Sequence, residues 1–243
     1  MRNHGKILSK GGFFATHHSE AHRPMLITMT TKTDVLTLPA DALATATLAL
    51  VADTESTVVA NHSIRSYLFA RLLAEHQHLV AGRDYDQQLL FVACLLHDIG
   101  LSGPGDRHQR FEVDGADVAA EFLTARGLPA ADVDAVWEAI ALHTSPGIAE
   151  RRGVLCQLVR RGVGMDLGFD AAFVTESDAA RIHTAHPRLE VTRSLVDAIV
   201  AQAQRNPEKA PAYSLAWSFH RERGATPHLT ALEAGAAASR WGD

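Results

Sequence analysis

Cysteine is scarce in this chain of 243 residues, which contains only Cys94 and Cys156. Both stand among apolar neighbours, and no Cys-x-x-Cys spacing is present, so the sequence shows no thiol metal motif. The two cysteines are predicted to be small core residues of a protein in a reducing compartment.

Aromatic residues are also few, at 6% of the chain, whereas hydrophobic residues together reach 47%. That total is ordinary for a globular protein. Alanine and leucine fill most of the apolar positions, which favours helix over sheet, and the alternation typical of β-strands is not found. Because repeats and internal linkers are missing too, the predicted fold class is all-α, with one helical domain.

A strongly basic composition is lacking as well, since the formal net charge is −5 and the pI is near 6.3. We therefore expect no nucleic-acid partner. No apolar segment approaches the ~18 residues that cross a bilayer, and the N-terminus has no secretory apolar region. We expect no membrane partner and a cytoplasmic location; whether the chain forms a homo-oligomer is left open.

The helical periodicity divides the chain into three parts. Residues 1–33 show no sustained period and are predicted to be a flexible N-terminal extension. Residues 34–225 are predicted to form the helical domain, and residues 226–243 a C-terminal tail whose alanine-rich part frays. Helices are predicted from Pro39 onward, then over about 58–80, 86–99, 111–127, 129–143, 148–163, 175–185 and 190–204, with a short one over about 213–219.

The pair His97-Asp98 follows an apolar run that starts at Leu89 and is predicted to be a buried helix. A histidine and an aspartate in that position are costly to bury unless they are paired. A metal ion would remove the cost, since imidazole and carboxylate both bind zinc, iron or manganese. Gly100 lets the helix end directly after the pair. The alternative is a helix C-terminus that simply ends in two polar residues.

Two further polar residues complete a possible ligand set. His62 lies within a predicted helix, and Asp166 lies in a glycine-spaced stretch, residues 162–168. With His97 and Asp98 they give two imidazoles and two carboxylates, which can hold one divalent ion and leave positions for water. Such an ion lowers the pKa of its water, which indicates hydrolase or hydratase chemistry. Alternatively, His62 is an ordinary helix histidine and Asp166 a helix cap.

The order of these motifs resembles the HD-domain superfamily, whose pattern is H…HD…D on an all-helical scaffold. The matching segments are Asn61–Ser63, Cys94–Gly100 and Gly164–Asp166. The resemblance implies that the metal ligands are His62, His97, Asp98 and Asp166.

Within that superfamily the chain is most similar to the cyanamide hydratase-type branch. The segments that carry the similarity are Asn61–Tyr67, Arg110–Gly115, Ile140–Thr144 and Gln202–Leu215. Members of that branch use a zinc site to add water to a nitrile carbon, which gives urea. The resemblance implies a small nitrogen-containing substrate, one divalent ion (zinc ahead of iron or manganese) and a metal-bound water or hydroxide as nucleophile. Fold similarity does not by itself identify the substrate.

The remaining roles follow from position. Asp98 is a catalytic candidate because a carboxylate beside the ion can receive the proton of the water. His143 is a second catalytic candidate, which lines the pocket or helps to hold a second ion; the alternative is that it caps its own helix.

Four residues are candidates for contact with the substrate: Arg65, Phe69, Glu112 and His108. For three of them another role competes. Phe69 also fits the core, Glu112 fits a cap of its own helix, and His108 fits a solvated loop.

Two other functions remain open from the sequence. A nucleotide phosphohydrolase or phosphodiesterase would use the same ion, with Arg65 or Arg110 holding phosphate. Many phosphate-cleaving HD proteins carry a lysine soon after the glycine of the dyad, where this chain has Leu101. The second alternative is a non-catalytic helical binding module that keeps its metal for stability.

Overall fold

The computed structural model describes residues 33–225 and 229–242, and the predicted flexible extension lies almost wholly outside them. Within the described residues all regular structure is helical, apart from an isolated bridge between Ala81 and Tyr85. The all-α prediction is confirmed. No helix in this part of the chain combines the length and the apolar character that a bilayer crossing requires.

The described residues contain ten α-helices, and three of the connections between them include 3-10 turns, four turns in all. The α-helices are α1 (Ala42–Thr54), α2 (Thr57–His76), α3 (Gln87–Leu96), α4 (Phe111–Thr124), α5 (Ala130–Leu142), α6 (Val154–Asp166), α7 (Glu176–Ala185), α8 (Val191–Arg205), α9 (Leu215–Ala225) and α10 (Ala231–Ala237). The 3-10 turns are Ile99–Leu101, Gly103–Gly105, Ala149–Arg151 and Pro207–Lys209.

Side-chain caps set the start of the two helices that carry the histidine motifs. The Ser56 hydroxyl accepts a hydrogen bond from the Val59 amide at the start of α2. The Asp86 carboxylate accepts hydrogen bonds from the amides of Gln88 and Leu89 at the start of α3. Such caps satisfy amides that the first helical turn leaves without a partner, so they fix where each helix begins and which face its later residues present.

Helix α3 forms the centre of the core. Every residue from Leu89 to Leu96 is buried, and the helix contacts α1, α2, α5 and α6. Cys94 and Cys156 are both buried and form no disulfide, as the sequence predicts. Because α3 ends at Leu96 inside this core, the next two residues, His97 and Asp98, are also buried.

Helix α6 extends three residues beyond its predicted end and reaches Asp166. The glycines there serve packing and do not break the helix. A Cβ at Gly162 would lie 2.5 Å from the Ser66 carbonyl oxygen and 2.7 Å from the Ala70 Cβ, so glycine permits the close approach of α2 and α6. This packing outweighs the low helix propensity of glycine, about 1 kcal/mol below that of alanine.

The described part of the C-terminal segment is packed against the domain, which differs from the predicted tail. Helix α10 begins with a capping box between Thr230 and Glu233. Farther on, the Trp241 indole stacks on Phe69 and donates a hydrogen bond to the Met165 carbonyl at 2.6 Å. The alanine-rich sequence offers few large side chains, and its fixed position depends on this cap and on Trp241.

Gly100 sets the distance between the His97-Asp98 segment and α4. A Cβ at Gly100 would lie 1.9 Å from the Phe111 carbonyl oxygen and 2.9 Å from the Gly115 amide nitrogen. No side chain fits there unless the backbone moves, so the glycine is needed for packing; α3 itself ends earlier, at Leu96, and does not continue to Gly100 as the sequence suggested.

We predict that Gly100→Ala lowers the free energy of unfolding by about 3 kcal/mol, because the added methyl group clashes with the Phe111 carbonyl and displaces the start of α4. Urea denaturation followed by circular dichroism measures the change. Gly103→Ala is the matched control, since nothing lies within 4 Å of a Cβ at Gly103. Equal unfolding midpoints for the two variants would contradict the packing role.

Candidate active site

The His97 ring is fixed by a backbone carbonyl. His97 follows α3 directly, and its Nδ1 lies 2.7 Å from the Cys94 carbonyl oxygen. A carbonyl oxygen can only accept a hydrogen bond, so Nδ1 carries the proton and Nε2 keeps a lone pair in the neutral ring. Burial alone would lower the pKa of His97, but the adjacent Asp98 carboxylate outweighs it and raises the pKa.

The His62 ring is fixed in the same sense by a carboxylate. His62 is fully buried on α2, and its Nδ1 lies 2.6 Å from Oδ2 of Asp166. Burial would raise the pKa of Asp166, but the Arg65 guanidinium and the His62 hydrogen bond hold it well below its usual range. Asp166 is therefore ionised and accepts a hydrogen bond from the Nδ1–H group, which leaves Nε2 of His62 with a lone pair in the neutral ring.

The two lone pairs and one carboxylate oxygen meet at a single point. Nε2 of His62 lies 3.2 Å from Nε2 of His97, which lies 3.1 Å from Oδ2 of Asp98. The distance from Nε2 of His62 to that same oxygen is 3.6 Å. With both imidazoles neutral, these three atoms are all acceptors, an arrangement that is unfavourable unless a proton on His97 or a bound cation lies between them. Their N, N and O donor atoms suit zinc, iron(II) or manganese.

Asp166 lies outside this group, unlike its predicted place among the ligands. Of the described residues, the potential metal ligands whose donor atoms fall within 4.8 Å of one another are His62, His97 and Asp98. Both Asp166 oxygens instead bind Arg65, from Nε at 2.5 Å and from Nη2 at 2.8 Å. Since α6 stays helical through Asp166, the carboxylate is brought to the Nδ1 side of His62, the side away from the cluster. In the sequence, the available signal for this arrangement was Arg65, which lies one turn after His62 and can pair with a buried carboxylate on the same side.

His143 both ends its own helix and lines the cavity, the two positions that the sequence left as alternatives. It follows α5, and its Nδ1 lies 2.7 Å from the Ile140 carbonyl oxygen in the last turn of that helix. Its Nε2 lies 3.6 Å from Oδ1 of Asp98, the carboxylate oxygen that the cluster does not use. Burial, aided by the nearby His97, lowers the pKa of His143 to about 4, so its ring is neutral at pH 7.

A mainly apolar cavity of about 210 Å³ lies beside the cluster. Its polar floor contains His62, Asp98, His143 and Thr144. Side chains from α4, α6, α8, α9 and α10 form most of the walls: Phe111, Val163, Leu167, Leu195, Ile199, Leu215, Phe219 and Leu232. The sequence predicted Leu195 and Ile199 as inward-facing core residues, and only the folded chain shows that they face a cavity.

The four predicted substrate contacts are not among the residues that line this cavity. Arg65 binds Asp166, Phe69 is buried against Trp241, and His108 is exposed in the loop after the dyad. Glu112 accepts hydrogen bonds from Arg110 and from the Thr144 hydroxyl, both at 2.6 Å. Each of these side chains has a structural partner or faces solvent, and their role as substrate contacts stays a prediction that the lining of this cavity does not support.

Glu55 is a half-buried acid, with its Oε1 atom fully buried, that the sequence motifs do not mark. Burial raises its pKa to about 8, with the Asp98 charge adding to the effect. It shares a second cavity, of about 320 Å³, with Asp98 and Ser102. Glu55 lies at the end of α1, outside the helix that carries His62, so no helical spacing marks it in the sequence.

We predict strong coupling between Arg65 and Asp166 in protein stability. Asp166→Asn or Arg65→Met alone should lower the free energy of unfolding by about 3 kcal/mol, because each leaves the other charge buried without its partner. The double variant should lose clearly less than the sum of the two. Urea denaturation of the three variants and the unaltered protein measures the coupling, and additive losses would show that the pair does not interact as described.

Comparison with known sequences agrees with this geometry. The sequence model of the HD domain matches residues 59–204, which include both histidine motifs and Asp166. The chain is also 28% identical over 156 residues to the cyanamide hydratases DDI2 and DDI3 of Saccharomyces cerevisiae, an alignment that covers 61% of this chain and 67% of each relative. With a match over more than half its length, this chain belongs to the HD-domain family.

Proposed function

We propose that this protein is a metal-dependent hydratase or hydrolase of a small nitrogen-containing molecule, with the hydration of cyanamide to urea as the first reaction to test. One observation carries the proposal: Nε2 of His62, Nε2 of His97 and Oδ2 of Asp98 converge beside an apolar cavity. The similarity to two yeast cyanamide hydratases supports the choice of reaction.

His62, His97 and Asp98 are the residues that would hold the metal. Bound there, a divalent ion would lower the pKa of a water molecule and polarise the substrate. Three protein ligands leave further positions open, as catalytic sites require. We propose zinc, because two imidazoles and one carboxylate are a known catalytic zinc set, with iron(II) and manganese as the alternatives.

Asp98 and His143 are the proposed proton carriers. Oδ1 of Asp98 faces Nε2 of His143, and both residues line the cavity. Because the low pKa of His143 keeps its ring neutral at pH 7, Nε2 can accept a proton from water or a hydrogen bond from a substrate N–H group. The Ile140 carbonyl holds the opposite ring nitrogen and so aims the lone pair at the floor.

The phosphohydrolase alternative loses its proposed phosphate ligands. Arg65 is bound to Asp166, and Arg110 is bound to Glu112. Neither arginine is among the cavity-lining residues. A nucleotide would also have to bring several charged oxygens against leucine, isoleucine and phenylalanine side chains, with Arg160 as the one arginine or lysine among the described residues of the lining, which is unfavourable for a polyphosphate.

We predict that the zinc-loaded protein releases urea from cyanamide and that His62→Ala, His97→Ala and Asp98→Ala each lose the metal together with the activity. Removing one ligand leaves too few donors to retain the ion. Metal analysis by plasma mass spectrometry and a coupled urea assay measure both quantities.

His220→Ala is the control, since that histidine is exposed on α9. Phosphate release from nucleotides without urea formation would favour the phosphohydrolase. If chelation lowered the melting temperature while neither substrate class was turned over, the non-catalytic binding module would be favoured.

We predict that His143→Gln retains one equivalent of metal but lowers kcat by about a hundredfold, the usual contribution of a proton-transfer group. Glutamine cannot carry the proton through a turnover, although it can fill much of the space. The metal content and kcat of the same preparation test the two statements. Loss of the metal would instead identify His143 as a ligand.

A further inference from the structure

Arg160 is the basic residue among those that line the cavity. It lies on α6 and also lines an adjoining, more exposed hollow of about 450 Å³, together with Gly164 and Phe169. These three residues border both spaces. Arg160 therefore stands where the apolar cavity meets the outer hollow.

The Arg160 guanidinium lacks a protein partner among the described residues. Its Nε is buried and makes no hydrogen bond there. Arg65 and Arg110, by contrast, are bound to carboxylates. The buried Nε is closed to a ligand, but Nη1 of the same guanidinium lies beside Gly164, which borders both spaces, and a ligand carboxylate or sulfonate would supply the missing acceptor there.

The backbone of α6 leaves room for this guanidinium. A Cβ at Gly164 would lie 3.1 Å from Nη1 of Arg160, closer than ordinary van der Waals contact. Glycine at position 164 therefore lets the arginine lie along the helix at the edge of the cavity. The same glycine lines both the cavity and the outer hollow.

We infer that Arg160 is a specificity-determining residue that binds a single anionic group of the substrate. The inference rests on the proposed function, which puts the reacting group at the histidine cluster. Leucine, isoleucine and phenylalanine side chains line the space that remains, so the middle of the molecule is apolar. The substrate class is thus a small amphipathic molecule with a hydratable nitrogen-containing group at one end and one carboxylate-like anion at the other.

The outer hollow limits the anion to one group. Glu150 and Asp170 line it along with Arg161. A chain of phosphates that extended past Arg160 would meet these two carboxylates, and like charges at short range repel. A single carboxylate or sulfonate ends at Arg160 and avoids them.

Binding of two matched probes to the zinc-loaded protein tests the inference. Hexane-1-sulfonate and hexan-1-ol share an apolar chain but differ in charge, and a sulfonate is a poor metal ligand. Isothermal titration calorimetry should show the sulfonate bound at least about tenfold more tightly, since only the sulfonate can accept a charge-assisted hydrogen bond from the guanidinium. Arg160→Gln should abolish this preference and leave hexan-1-ol affinity within about twofold.

Arg161→Gln is the matched control, because Arg161 is the next residue of α6 and lines the outer hollow without lining the cavity. It should retain most of the preference for sulfonate. Equal affinities of the two probes for the unaltered protein, equal effects of the two substitutions, or no binding of either probe would each overturn the inference.

Turnover separates this inference from the proposed function. With 4-(cyanamido)butanoate and N-butylcyanamide as substrates, Arg160→Gln should raise KM for the acid about tenfold, with kcat and the neutral substrate little changed. If neither cyanamide is hydrated while the sulfonate preference depends on Arg160, the proposed reaction is wrong and the anion site stands. If both are hydrated at equal kcat/KM, the reaction stands and the anion site is wrong.

Discussion

The structure depends on three acceptor atoms being held face to face inside the protein. Nε2 of His62, Nε2 of His97 and Oδ2 of Asp98 lie 3.1 to 3.6 Å apart, and the protein places no donor between them. Each neutral imidazole is held in this tautomer because its Nδ1–H group donates a hydrogen bond, from His62 to Asp166 and from His97 to the Cys94 carbonyl. Repulsion between the acceptors is the physical reason that the site calls for a cation.

The packing of the surrounding helices holds these three acceptor atoms in place. Asp166 is buried, and its charge is balanced by Arg65, which also donates to the carbonyls of His186 and Pro187. The close packing of α2 on α6 through Gly162 brings these partners together. The charges beside the cluster are thus paired within the protein, and the lone pairs of the two histidines remain directed at the ion position.

The walls of the cavity give the site its chemical character. Helices α8, α9 and α10 add apolar side chains over the polar floor, so a substrate's reacting group is kept from bulk water while its body meets hydrocarbon. Electrostatic interactions are stronger in such surroundings than in water. A polar floor, an apolar middle and a single arginine at the edge together favour a small amphipathic molecule over a polyphosphate.

The sequence by itself determined the all-α class, the central helix α3 and the histidines and aspartate of the cluster. Helical periodicity, the long apolar run before His97 and the ordered motifs are all properties of the chain read in one dimension. It misplaced the end of α6, because glycine's low helix propensity was read without the α2 contact that overrides it. The sequence also predicted Asp166 as a metal ligand, whereas in the structure it binds Nδ1 of His62 and Arg65. Spacing shows that residues can meet, but it does not show which ring nitrogen faces which carboxylate.

Only the tertiary structure decided which polar residues line a cavity. Arg65 and Arg160 look alike in the sequence, as arginines on helices that carry site residues. Folding pairs the first with Asp166 and leaves the second without a partner among the described residues, at the edge of the apolar cavity. That difference arises from contacts between segments about a hundred residues apart, and local sequence patterns carry no information about such contacts.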